Sequence, residues 1–301
     1  MITSTSNARV KRLVNLKKKR KVREEEDVFL TEGIRMFREV PPELLKEVYV
    51  SESFYKKEGE VIRQVMKKSQ AKLEELSDSV FQYASDTKTP QGILCVVKQK
   101  HYTLSEVAQG DSPLLMVLER LQDPGNLGTI LRTAEGAGVT GIILSEDCVD
   151  LYNPKTIRST MGSVYRMPFV YVPDLADALE NLKGMGIKSY AAHLGGVRDY
   201  DEEDYVEPCA FLIGNEGNGL SDEIADLVIP LGANLHKDGA CVIQIIKVAF
   251  LCSVFHMEYA TPRNILMSIL VAVIASVVMG GIPAGGYVAE IFIISAFGFP
   301  T

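Results

Sequence analysis

From Leu114 onward the chain alternates apolar runs of strand length with helix-like segments, and no other feature limits the fold so strongly. The runs fall at 114–118, 141–144, 169–172, 189–193 and 209–213. Strands spaced by helices imply a parallel sheet with helices on both faces. Such a sheet binds its ligands in the loops beyond the carboxyl ends of its strands, and here those loops are rich in glycine, asparagine and acidic residues. The fold class is α/β.

Upstream, residues 1–100 read as a smaller α/β domain. Its expected elements are a basic helical arm, a turn around Glu32-Gly33, a strand near 47–50, a helix near 59–76 and a strand at 92–97. Residues 101–113 have the polar, Gly/Ser/Pro-containing composition of a linker. The arm carries nine basic residues and no acidic one within the first 23 positions, although the whole chain has a net charge of -7. Such a run suits a phosphate backbone, and a solvated helix face would look the same.

The far end has the opposite character. Residues 264–301 hold one charged residue, Glu290, among aliphatic residues and glycine. The apolar run 265–279 is 15 residues long, short of the roughly 20 that a spanning helix needs. Glycines and Pro283 then break it before a second apolar stretch, a pattern expected of a re-entrant hairpin; a buried helical hairpin is the other reading. The five cysteines show no CxxC spacing and argue for reduced, mostly buried thiols. His101, His193, His236 and His256 lack metal spacing, so no metal site is expected. The basic start without an apolar segment behind it does not read as a signal peptide, and the expected compartment is cytoplasmic.

Two strand-to-helix loops carry candidate chemistry. In the first, 119–132, Asn126 and Arg132 sit at the start of a helix whose first turn presents free N–H groups. In the second, 213–220, three glycines within six residues let the backbone approach a ligand, and Glu216 is placed to hydrogen-bond it. A third segment, Arg158-Ser159-Thr160-Met161-Gly162-Ser163, offers a cation and hydroxyls. Taken singly, these are equally an ordinary turn with an ion-paired arginine, a flexible turn with a solvated glutamate, and a plain helix start.

Taken in order, the segments 122–134, 158–163, 213–220 and 229–231 resemble the SpoU (TrmH-like) family of knotted RNA 2′-O-ribose methyltransferases. Ser6-Asn7, 29–33 and 89–93 resemble the substrate-binding domain found in many members. The resemblance implies a SPOUT-type knotted parallel sheet over 114–231, S-adenosylmethionine as cofactor, rRNA or tRNA as substrate, and a homodimer with sites between subunits. A ribose hydroxyl is a weak nucleophile, so a basic or cationic group must lie within hydrogen-bonding reach. By resemblance that group is Arg132. Asn126 then holds the substrate and the arginine, and Glu216 completes the polar site. Gly214, Asn215, Gly217, Ile229 and Leu231 wrap the cofactor, while Lys11, Arg12, Lys17, Lys18, Lys19, Arg20, Arg158 and Ser159 contact RNA.

The resemblance stops after Leu231. Family members continue into a Ser-Leu-Asn stretch that opens the knot-closing helix, whereas this chain reads Gly232-Ala233-Asn234-Leu235-His236. The knot is therefore expected to be incomplete. Residues 230–234, 237–240 and 281–286 instead resemble the C-terminal part of dicarboxylate/amino-acid:cation symporters. A seam between two unrelated coding sequences near 228–232 is the expectation, with any membrane contact confined to the part of the apolar tail, 232–301, after about residue 240. An RNA-binding protein without catalysis and a membrane-protein fragment remain as rivals.

Overall fold

The computed structural model describes residues 1–193, 196, 202–232, 261, 265, 267 and 269. The chain divides into two compact units, Met1–Ala191 with Asp201–Ile229, and Ala192–Tyr200 with Pro230–Thr301. The expected apolar hairpin apart from 265, 267 and 269, the symporter-like segments apart from 230–232, the knot-closing region, His236 and His256 lie outside the described residues. Among the described residues, no helix is long and apolar enough to cross a membrane.

The N-terminal part of the first unit runs α1 (Ala8–Lys18), α2 (Arg20–Glu26), β1 (Val28–Glu32), α3 (Ile34–Glu39), β2 (Leu45–Ser51), α4 (Glu52–Met66), β3 (Lys72–Leu76), α5 (Asp78–Ala84) and β4 (Ile93–Lys98). Its four strands order as β1-β4-β2-β3. Only β2 and β3 pair in parallel. The basic arm forms because Val10, Leu13 and Leu16 recur at helical spacing and are fully buried, turning the lysines outward. Asn7 caps it, its side chain accepting from Arg9 N at 2.9 Å. The helix expected over 59–76 instead spans Glu52–Met66, and its last five expected residues form β3. Lys72-Leu73-Glu74-Glu75-Leu76 favours a helix locally, and pairing with β2 overrides that preference.

After α6 (Leu104–Val107) come β5 (Leu114–Leu118), α7 (Pro124–Gly136), β6 (Gly141–Ser145), α8 (Pro154–Thr160), β7 (Phe169–Val172), α9 (Leu175–Gly184), β8 (Lys188–His193), β9 (Cys209–Ile213), α10 (Asp222–Ala225) and β10 (Ile229–Gly232). The sheet order is β10-β8-β9-β5-β6-β7. The pairs β8–β9, β9–β5, β5–β6 and β6–β7 are all parallel, as the alternation predicts. Strand β5 is central, so the loops after β5 and β9 leave neighbouring strands at the same end. One continuous core crosses from Phe29 and Phe37 to Leu127, Leu131 and Phe169. Within it Phe29 stacks on Tyr152 with ring centroids 4.7 Å apart. Cys95, Cys148 and Cys209 are buried free thiols.

Candidate active site

The loop after β5 turns sharply at Arg120, whose φ of +54° lies in the left-handed region that a side chain disfavours. Several bonds hold it there. Its N–H donates to Ser145 Oγ at 2.9 Å, and its carbonyl accepts from Asn215 Nδ2 at 2.8 Å and Gln122 Nε2 at 3.1 Å. Asp123 then caps α7, accepting from Asn126 N at 2.9 Å with Pro124 in the first turn. That bond, with one from Lys155 Nζ at 3.2 Å, holds the Asp123 carboxyl below the ordinary aspartate range.

The glycine-rich loop after β9 is a closed ring of backbone. Asn215 and Gly219 exchange N–H···O bonds of 2.9 Å in both directions, and Asn215 Oδ1 accepts from Gly217 N and Asn218 N at 3.0 and 3.1 Å. A Cβ on Gly214 would sit 2.2 Å from Leu220 N, so only glycine closes this ring. The ring projects Glu216 at the start of α7. Glu216 Oε1 accepts from Asp123 N at 3.0 Å and Asn126 Nδ2 at 3.2 Å, while Oε2 accepts from Gln122 N at 3.1 Å. Partial burial pushes this carboxyl up, but the bonds from Asp123, Gln122 and Asn126 outweigh it and leave the group below the ordinary glutamate range.

Asn126 and Glu216 are thus brought together as a directly bonded pair. Arg132 stands on the exposed side of α7 with no hydrogen-bond or ion-pair partner among the described residues. Arg158 and Ser159 are not part of this cluster. Arg158 Nη1 donates to Asp86 Oδ2 at 2.5 Å, and Ser159 Oγ bonds back to Lys155 O at 3.1 Å. Helix α8 instead supports the site from beneath, because Gly128 of α7 rests against it: a Cβ there would lie 2.5 Å from Ser159 Cβ and 2.6 Å from Thr156 O.

The residues present suit a cofactor at the end of β9. The loop presents bare backbone, and beside it Ile213 is 40% exposed although apolar, the combination of main-chain polarity and apolar surface typical of small-molecule sites. Ile229 is half-buried and Leu231 is buried. Sequence reasoning passed over Glu119, which is buried and anchors the other side of the loop by accepting from Ser221 N at 2.8 Å and Ser221 Oγ at 2.6 Å. An acidic residue directly after a strand and before a left-handed turn was the available signal.

The basic arm is mostly committed internally. Arg12 donates to Glu26 at 2.7 Å and to Glu47 at 2.9 Å, Arg20 to Glu24 at 2.6 Å, and Lys17 Nζ to Ser85 O at 2.7 Å. Arg23, buried, reaches Asp150 at 2.5 Å. Lys11, Lys18 and Lys19 remain exposed with no side-chain partner among the described residues. Tyr165 is buried, and Arg166 is paired with Glu39 and Glu135.

Comparison with known proteins agrees with this geometry. A model of the SpoU rRNA Methylase family matches residues 113–231, and one of the MRM3-like substrate binding domain matches 7–95. A Sodium:dicarboxylate symporter family model matches 209–301. Over its first part, 209–231, the chain folds as β9, α10 and most of β10 of the α/β sheet. The 23S rRNA (guanosine(2553)-2′-O)-methyltransferase RlmP of Bacillus subtilis is 31% identical over 254 residues, 82% of this chain and 97% of that protein. A crystal structure of an rRNA methyltransferase from Sinorhizobium meliloti superposes with a TM-score of 0.69 at 30% identity, covering 77% of this chain and 87% of the other. Its AdoMet-bound form gives 0.69 at 29% identity over the same shares. With an α/β sheet of this order, both strand-end loops in register and a relative matched over nearly its full length, the chain belongs to the SpoU rRNA Methylase family.

Proposed function

We propose that this chain transfers a methyl group from S-adenosylmethionine to a ribose 2′-hydroxyl of ribosomal RNA, acting as a cytoplasmic homodimer with sites between subunits. The observation that carries the reading is the clamp of Glu216 on the start of α7, with the uncommitted Arg132 farther along the same helix. The full-length match to a 23S rRNA 2′-O-methyltransferase and the AdoMet-bound structural neighbour support the reaction class and the cofactor.

When bound, the cofactor supplies an electrophilic methyl group on a sulfonium. The chain does the rest. Gly214, Asn215, Gly217 and Ile229 hold the cofactor through main-chain groups of the first unit; Leu231 belongs to the second. Asn126 spends its amide N–H on Glu216, which orients the side chain and leaves Oδ1 to accept from the substrate hydroxyl or from Arg132. Arg132 would stabilise the negative charge that develops on the 2′-oxygen as its proton leaves to solvent; methyl transfer to that oxygen would break the methyl–sulfur bond and leave a neutral thioether. Lys11, Lys18 and Lys19 attract the RNA phosphates, while Arg12, Lys17 and Arg158 shape the surface around them through their internal bonds.

Incubating the full chain with methyl-labelled S-adenosylmethionine and unmodified ribosomal RNA, followed by nuclease digestion to nucleosides, tests the reading. A labelled 2′-O-methylnucleoside is expected. RNA that is bound but never labelled would leave an RNA-binding protein without catalysis.

For the tail alone we propose that residues from about 232 onward derive from a different coding sequence joined near 228–232; the symporter match over 209–301 supports a foreign tail, while the RlmP match, at 82% of this chain, extends past residue 231 and weighs against it. One long sequencing read of source DNA across the codons for 227–234 decides it. Continuation into Ser-Leu-Asn and an Ala-rich helix removes the tail from the protein.

A further inference from the structure

A second cleft, of about 270 Å³, opens between the basic arm and the edge of the central sheet, where Arg20 and Glu24 of α2 face Lys100, Tyr102, Asp150 and Tyr171. Its chemistry is mixed in a particular way. The Arg20 guanidinium carbon lies 6.0 Å from the centroid of the Tyr171 ring, a cation over an aromatic face. Tyr102 and Tyr171 are both half-buried. Both arginines inside are neutralised, Arg20 by Glu24 at 2.6 Å and Arg23 behind it by Asp150 at 2.5 Å. A free phosphate would meet two carboxylates here and gain little. A neutral planar group with its own donors and acceptors would stack on the rings and find partners for both. Lys100 lines the cleft, and its Nζ donates one bond to Tyr165 O at 2.8 Å; an ammonium has two further N–H groups. The carboxylates accept from an amino group. Phosphates on either side of such a group would meet Lys18 and Lys19, the exposed lysines that directly precede Arg20.

We propose that this cleft is a base-binding subsite for an unpaired RNA nucleotide, lined by no residue of the methyl-transfer loops, and that it reads single-stranded character in the substrate. The proposal rests on the reading of RNA as substrate. Unpaired bases are recognised by stacking on aromatic and guanidinium planes with hydrogen bonds to their edges, and this cleft joins all of these at the boundary of two RNA-facing parts of the chain.

The test measures binding of fluorescently labelled hexauridylate and of an abasic hexamer with the same phosphates, by anisotropy, to the full chain and to Arg20→Gln and Tyr102→Ala. The full chain is expected to prefer the base-bearing oligomer by about tenfold, a typical stacking contribution. Each variant should bring that preference below about threefold. Arg20 is an exposed residue whose one ion pair among the described residues is with Glu24, so its variant retains the fold and decides the matter should Tyr102→Ala unfold. A preference near one in the full chain, or one unchanged in both variants, overturns the subsite. Methyl transfer measured on the same preparations separates the two readings. Transfer without base preference sinks the subsite alone, and base preference without transfer sinks the enzymatic reading alone.

Discussion

At the scale of single residues, the proposed reaction has Arg132 supply charge and Glu216 supply position. Removing the cation in Arg132→Ala should lower methyl transfer by about a hundredfold or more, as for other lost oxyanion donors, while cofactor affinity measured by calorimetry stays unchanged. Unaltered turnover in that variant would show that another group stabilises the oxygen. Glu216→Gln keeps one acceptor oxygen where the carboxylate has two, so the three donors at the start of α7 cannot all be held. The carboxyl lies below its ordinary range in the folded state, so its contribution is complete above the unfolded value of about 4.3 and is lost as pH falls through the lower folded value. Thermal midpoints of wild type and Glu216→Gln should therefore differ near neutrality and converge in acid. A gap that widens in acid would contradict the clamp. The glycines around Glu216 marked its loop as one that approaches a partner closely. That Glu216 holds the start of α7 was not legible, because its partners lie 90 or more positions away in the chain.

At the scale of elements, the packing of α7 on α8 depends on the absence of a side chain at Gly128. Gly128→Ala places a methyl group 2.5 Å from Ser159 Cβ and 2.6 Å from a backbone carbonyl, and such overpacking costs about 1–3 kcal/mol. Chemical denaturation should show a lower midpoint with an unchanged slope. Equal midpoints would mean that α8 yields freely. The central strands were legible because parallel strands buried on both faces read as unbroken apolar runs: β5, β7 and β9 begin and end where the sequence places them. The N-terminal sheet was harder. β3, at its edge, carries charged residues at three of five positions, and the apolar run of β1 ends after Leu30. How much of the basic arm stays free was not legible for a related reason: charge counted along a sequence does not reveal acidic partners such as Glu47 and Asp150, brought in by other elements.

At the scale of the whole molecule, Arg23 of α2 and Asp150 beyond β6 tie the N-terminal part to the central sheet through an ion pair with side chains only 4% and 15% exposed. Breaking a buried pair strands the remaining charge, at about 3–5 kcal/mol. Asp150→Asn should therefore lower stability by an amount of that order and split thermal unfolding into two steps, visible by calorimetry. A single unshifted transition would show that the shared core from Phe29 to Phe169 suffices to join the two parts.

The bonds from Glu216 to Gln122 and Asp123 also set a schedule for synthesis. The loop after β5 leaves the ribosome more than 90 residues before the side chain that fixes it, and β5 must wait as long for its neighbour β9. Until then the start of α7 has no clamp. The order of the strands thus fixes an order of assembly: the two halves of this loop cluster, written far apart in the message, close only once the later strand has been made.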